Sequence, residues 1–269
     1  MIPFSEMASN GLAAVRAVSP MVHHLTNHVV MNFTANITLC MGAAPVMAPC
    51  IEESPEMVSF AEALLLNIGT LDPPLVKSML AAGKRANELG IPIILDPVGA
   101  GATRLRTEAA GRLSEELDIA VIRGNAGEVL ALAGAGGKVR GVDSMDTVEH
   151  RVDTIRSYAA ESERVIAVTG AMDIVTDGSR VMGIRNGHPL MGRVTGTGCG
   201  ATTAVACLAA AVDDPFEAAA GALICYAIAG ELAADKAGGP GTFVPHFLDA
   251  LSNLDRAVIN SRTKAEDLS

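Results

Sequence analysis

Short apolar runs alternate along this chain with longer segments in which apolar residues recur at helical spacing. Residues 63–68, apolar but for Asn67, and the apolar 91–95 have the length of buried strands, and 119–122 and 165–168 repeat the pattern. Residues 73–89 read as a helix closed by Gly90, and 8–18 as an amphipathic helix ending before Ser19-Pro20. A short strand within 21–28 runs into a polar turn, a helix follows over 29–41, and 42–47 contain a second short strand.

This alternation predicts an α/β protein with a mainly parallel sheet and right-handed crossovers. Residues 174–184 break it and read as a β-hairpin turning at Asp177-Gly178. Ligands of parallel sheets sit outside the carboxyl ends of the strands. Several apolar runs here end in one polar residue: Asp96, Arg123 directly after 119–122, and Thr169 before Gly170. These side chains are expected along one edge of the sheet, although the strand order is not legible.

The densest chemistry is Val194-Thr195-Gly196-Thr197-Gly198-Cys199-Gly200-Ala201-Thr202-Thr203. Alternating glycines allow a tight turn, and the alanine-rich run 201–212 reads as the helix that follows it. A glycine turn feeding a helix N-terminus is an anion site, for phosphate above all, although a plain helix cap has the same pattern. It matches neither the Walker phosphate loop, which ends in Gly-Lys-Ser/Thr, nor a full dinucleotide fingerprint.

Composition narrows the classes. Two Tyr, six Phe and no Trp among 269 residues require a core of Ala, Val, Ile, Leu and Met, and one domain spanning 1–269 is expected. A net charge of −10 disfavours nucleic acid as a partner. The five cysteines form no Cys-x-x-Cys pair, and with no apolar leader after Met1 the cytoplasm is the expected compartment. The apolar region 201–230 is broken at 213–217 into pieces read as too short to cross a membrane, so no membrane partner is expected. Residues 134–138, Gly-Ala-Gly-Gly-Lys, read as a surface loop.

Asp96 and Glu128 are the carboxylates placed to serve a magnesium ion, which takes one or two carboxylates together with substrate phosphates; the alternative is a loop cap and a surface helix residue. Arg123 suits phosphate oxygens or a nearby acid. Thr169 suits a phosphate or ribose, or a plain strand end. His24 and His28 share helical spacing but lack a third ligand, and read as polar loop residues. Cys199, at a helix start, is expected to have a lowered thiol pKa, or else to be a small apolar residue.

Taken in order, His23-x-x-Thr26-Asn27, Met31-Asn32-Phe33-Thr34-Ala35-Asn36, Pro45-Val46-Met47, Leu66-Asn67-Ile68-Gly69-Thr70-Leu71, Asp96-Pro97-Val98-Gly99-Ala100-Gly101-Ala102-Thr103, Arg123-Gly124-Asn125-Ala126-Gly127-Glu128 and Thr195-Gly196-Thr197-Gly198-Cys199 resemble the hydroxyethylthiazole kinase family. The resemblance covers nearly the whole chain. It implies a ribokinase-like three-layer sandwich and ATP-dependent, Mg²⁺-assisted phosphorylation of the alcohol of 4-methyl-5-(2-hydroxyethyl)thiazole for thiamine salvage. A homotrimer with sites between subunits is also implied.

Carried over by motif, Asn27, Met47 and Gly196 would contact the thiazole, Arg123 and Thr169 the ATP, and Asp96 and Glu128 the metal and its waters. Gly196, Gly198 and Gly200 would form an anion hole. Cys199 stands where the wider ribokinase-like group has an aspartate base. Gly238-Gly239-Pro240-Gly241 resembles a late loop expected to shape the nucleotide pocket. Rival readings are a kinase for another small alcohol such as hydroxymethylpyrimidine or pyridoxal, a nicotinamide-dependent oxidoreductase, and a non-catalytic ATP sensor. The oxidoreductase is disfavoured because the glycine turn comes after several strands.

Overall fold

Nine strands form one mixed sheet in the computed structural model, which describes residues 2–135 and 148–269. They are β1 (Met21–Leu25), β2 (Ala44–Val46), β3 (Ala63–Asn67), β4 (Ile93–Asp96), β5 (Val121–Asn125), β6 (Val165–Thr169), β7 (Asp173–Thr176), β8 (Val181–Ile184) and β9 (Ala265–Asp267). Their order is β2-β1-β3-β4-β5-β6-β7-β8-β9. The strands from β2 to β6 are parallel, as the strand–helix alternation predicts. The remaining three pairings, β6–β7, β7–β8 and β8–β9, are antiparallel, β7 and β8 being the expected hairpin.

Helices cover both faces, giving the expected three layers. One layer holds α3 (Ser54–Val58), α4 (Pro73–Leu89), α5 (Arg104–Glu116), α6 (Ala126–Ala135) and α7 (Val148–Ser162). The other holds α1 (Phe4–Val18), α2 (Met31–Met41), α8 (Thr197–Ala209), α9 (Pro215–Ala234), α10 (Pro240–Ser252) and α11 (Arg256–Arg262). Local chemistry sets the ends. Asp72 caps α4 by accepting the Leu75 N–H at 2.8 Å, and Gly90 closes the helix at φ 70°.

Because successive strand residues point to opposite faces, the sheet sorts its side chains. Leu65, Ile94, Val121 and Ala167 enter the core beneath α8 and α9. Leu64, Leu66, Ile93, Leu95, Ile122 and Ile166 enter the core beneath α4 to α7. Two residues beyond the first series lie Asn67, Asp96, Arg123 and Thr169. The α8 layer therefore meets four polar side chains at the carboxyl edge of the sheet.

Several boundaries differ from the sequence reading. α1 begins four residues earlier, at Phe4 rather than 8. β5 continues through Asn125, so Arg123 lies within the strand rather than after it. α8 starts at Thr197, which makes Gly198 and Gly200 helical rather than part of a preceding turn. α9 has 20 residues and is long and apolar enough to cross a membrane by length and composition, against the expectation of two pieces too short for that; 83% of its most apolar window is buried in the core. Gly134 and Ala135 close α6, and the rest of the expected loop at 136–138 lies outside the described residues.

Candidate active site

A line of buried amides and a carboxylate crosses the strand ends under α8. Asn27 Nδ2 donates to Asn67 Oδ1 at 2.8 Å, Asn67 Nδ2 donates to Asp96 Oδ2 at 2.7 Å, and the Thr202 hydroxyl donates to the same oxygen at 2.9 Å. Backbone N–H groups fix both amides. Val29 donates to Asn27 Oδ1 and Gly69 to Asn67 Oδ1, so each Nδ2 is free only to donate. The Asn27 amide also lies 3.6 Å from Cys199 Sγ. Burial pushes the Asp96 carboxyl up to about 6, against the opposing pull of the Arg123 charge and the Thr202 hydroxyl.

The first turn of α8 closes over this line. Gly196, at φ 86°, provides the left-handed entry that a side chain would strain. The Gly200 N–H donates to the Gly196 carbonyl at 2.8 Å, so the N–H groups of Thr197, Gly198 and Cys199 are the ones without an acceptor inside the helix. This corrects the anion hole read from the sequence, because the Gly200 N–H is committed to the helix. Gly200 is there for space: a Cβ would stand 2.3 Å from the Tyr226 hydroxyl and 2.5 Å from Ile37 Cδ1. Tyr226, on α9, in turn donates to the Thr197 carbonyl at 2.8 Å.

Beside that turn is a cavity of about 570 Å³, walled by Arg123, Thr169 and Asp173 at the strand edge, residues 185–189, Met191 and Gly192, Thr197, Gly198 and Ala201 of α8, and Leu223, Tyr226 and Ala227 of α9. Arg123 is 7% exposed. Its Nη2 donates to the Thr169 hydroxyl, while its Nε is buried with no partner. Asp173 accepts the Gly170 N–H at 2.9 Å; burial raises its carboxyl to about 6, against the pull of Arg123.

Glu128 is half-buried, and its carboxylate turns onto backbone N–H groups rather than out to solvent. Its Oε1 accepts the Gly99 N–H and its Oε2 the Asn125 N–H, both at 2.8 Å, while the Asn125 side chain accepts the Glu128 N–H at 3.0 Å. The carboxylate thus staples the loop after β4 to the start of α6.

Other expectations are corrected. His24 is a fully buried strand residue, not a loop residue; its Nε2 lies 3.1 Å from the Thr38 hydroxyl, and burial lowers it to about 3, so it is neutral. It faces the core while His28 sits in the exposed turn, so the two share no face. The Cys199 thiol is pushed up to about 11 by burial and the nearby Asp96 charge, opposite to the lowering expected at a helix start. Gly239 and Pro240 start α10, and the Gly238 N–H bonds the Thr242 hydroxyl at 2.9 Å; none of this loop lines the cavity. Met47 follows the edge strand β2 and is half-buried, outside the cavity wall.

Four residues of the site were not singled out for it beforehand: Asn67, Thr202, Tyr226 and Asp173. Asn67 ends its strand in register with Asp96 and was legible by the same rule. Thr202 stands at the end of the glycine-rich stretch read as an anion site, and Tyr226 announces itself only as a polar side chain in an alanine-rich helix.

The strand order and the layers, with an open helix start beside a cavity, are those of the ribokinase-like fold. A ribokinase-like superfamily protein from Enterococcus faecalis V583 shares the fold at a TM-score of 0.60 and 16% identity, covering 94% of this chain and 83% of that one. This chain belongs to the hydroxyethylthiazole kinase family, whose model matches residues 12–257. It is 50% identical over 258 residues to a hydroxyethylthiazole kinase of Desulfatibacillum aliphaticivorans, covering 96% of each chain. The solved hydroxyethylthiazole kinase protein of Pyrococcus horikoshii OT3 aligns with a TM-score of 0.91 and 41% identity, covering 98% of this chain and 100% of that one. The chain is accordingly a kinase.

Proposed function

We propose that the chain transfers the γ-phosphoryl group of ATP to the hydroxyl of 4-methyl-5-(2-hydroxyethyl)thiazole for thiamine salvage, over the first turn of α8. Family membership supports the substrate. The observation that carries the geometry is Arg123, a buried guanidinium with an unpartnered Nε beside three free helix N–H groups. A buried cation that hydrogen-bonds a neutral hydroxyl and keeps an unpartnered N–H has room for an anion, and a triphosphate in the cavity satisfies both the cation and the N–H groups.

In this reading Arg123 and Thr169 hold ATP phosphates. The turn at Gly196 and Gly198 stabilises charge on the transferring group, and Asn27, Met47 and Gly196 hold the thiazole. Phosphoryl transfer asks mostly for positioning and charge stabilisation, so the alcohol needs little prior deprotonation. Cys199, a thiol at neutral pH, positions the hydroxyl beside Asn27 rather than acting as a thiolate base.

Asp96 and Glu128 would hold Mg²⁺, which would supply charge neutralisation of the phosphates. The donor set fits. The two carboxylates stand close enough that the Glu128 charge helps to raise the Asp96 carboxyl, and magnesium asks for one or two carboxylates, waters and substrate phosphates rather than a full protein cage.

The whole chain, 1–269, acts as one domain in a homotrimer. Exposed Val29 and Ile51 lie within a few residues of Asn27 and Met47 along the chain, and the cavity reaches neither of those two. A neighbouring subunit would complete that side. Free cysteines throughout suit the cytoplasm.

The test is ADP release from Mg-ATP with hydroxyethylthiazole, hydroxymethylpyrimidine, pyridoxal or no acceptor. Release with the thiazole alone is expected. Release with another alcohol alone moves the substrate, and release with none rejects the reading.

A further inference from the structure

Arg106 lies in the first turn of α5, where the helix dipole disfavours a cation. Its placement has a compensating cause. Nη1 donates to the Val98 carbonyl at 2.7 Å and the Ile68 carbonyl at 3.1 Å, and Nη2 donates to the Gly69 carbonyl at 2.8 Å. One guanidinium therefore gathers carbonyls from the loop after β3 and the loop after β4. Only its planar fork serves three acceptors spread in this way.

Each loop carries one half of the site. Gly69 donates to Asn67 Oδ1, and its missing side chain admits Asn27, whose Nδ2 lies 2.7 Å from where a Cβ would be. Gly99 donates to Glu128 Oε1, and a Cβ there would stand 2.9 Å from Arg106 Cδ. The backbone adds one long bond at the same place, from the Ile68 N–H to the Asp96 carbonyl at 3.3 Å.

We propose that Arg106 is a positioning residue for phosphoryl transfer: by binding the Ile68, Gly69 and Val98 carbonyls it sets the spacing between the Asn27–Asn67 side of the site and the Gly99–Glu128 side. This rests on the function proposed above. Arg106 does not wall the nucleotide cavity, so the effect of losing it falls on turnover rather than on ATP binding.

The experiment compares the parent, R106A and R106K in steady-state kinetics, with hydrogen exchange at the Gly69 and Gly99 amides. R106A is expected to lose about 100-fold in kcat, the scale of a misplacement near 1 Å, with KM for ATP within about twofold. Millimolar guanidinium should restore part of that loss in R106A, whereas the R106K ammonium should not replace the fork. Both amides should exchange faster in either variant. If R106A does not fold, R106K carries the kinetic and exchange comparisons.

Unchanged exchange at the two glycines, a kcat within about threefold of the parent, or a KM for ATP that rises in step with the loss of kcat would each overturn the proposal. Failure of the parent to phosphorylate the thiazole would reject the substrate instead. The two exchange rates would still decide the role of Arg106.

Discussion

The Arg123 guanidinium lies against Gly198 so closely that a Cβ there would stand 3.2 Å from Nη1. The cation and the open helix start are thereby brought to one point. Gly198→Ala should fold and push the guanidinium away by a few tenths of an ångström, costing about tenfold in kcat/KM for ATP. Gly200→Ala should behave differently. Its Cβ would meet Tyr226 and Ile37 at 2.3 and 2.5 Å, so stability should fall by about 2–3 kcal/mol, read as a lower Tm. Equal Tm for the two variants would contradict the separate reasons given for these glycines.

Arg123→Met should separate activity from stability. Losing a donor aimed at developing charge costs on the order of 3 kcal/mol, about 100-fold in kcat. The same change removes an orphaned Nε but also the charge that opposes the burial of Asp96 and Asp173, two opposing effects, so the Tm should change little. Kinetics beside thermal unfolding check both halves, and a Tm that drops with activity would mean that Arg123 is mainly structural.

Asp173 should tilt the stability profile with pH. Its folded-state carboxyl is raised from the usual value to about 6, so between about 4 and 6 the folded chain holds a proton that the unfolded chain has lost, and stability falls as pH rises through that window. Asp173→Asn keeps an acceptor for the Gly170 N–H and removes this penalty. The variant should gain on the order of 1–2 kcal/mol over the parent at pH 8, after discounting for partial solvent screening, with the gain vanishing near pH 4. Urea unfolding at the two pH values measures it.

Cys199 should resist alkylation. With the thiol held up near 11, its thiolate is scarce at pH 7.5, whereas Cys50 is exposed on the surface. Iodoacetamide followed by peptide mapping should label Cys50 well before Cys199. Labelling of Cys199 first would restore the activated thiol expected from its place at a helix start.

Periodicity alone determined much of this protein. Apolar runs of strand length, each followed by a helical pattern, specify the parallel sheet, and their last residues deliver Asp96, Arg123 and Thr169 to the carboxyl edge. That information is local, because alternation along a strand assigns each side chain to a face without reference to the rest of the chain. What the tertiary structure alone decided is which partners those side chains meet. Thr202 reaches Asp96 across 106 residues and Tyr226 closes on Gly200, because α8 and α9 pack against the sheet at distances no local pattern encodes. Glu128 turns onto the Gly99 N–H, 29 residues away in the chain, for the same reason. A hydrogen bond or a thiol's proton affinity depends on what stands within a few ångströms, and in a folded chain those neighbours come from distant sequence.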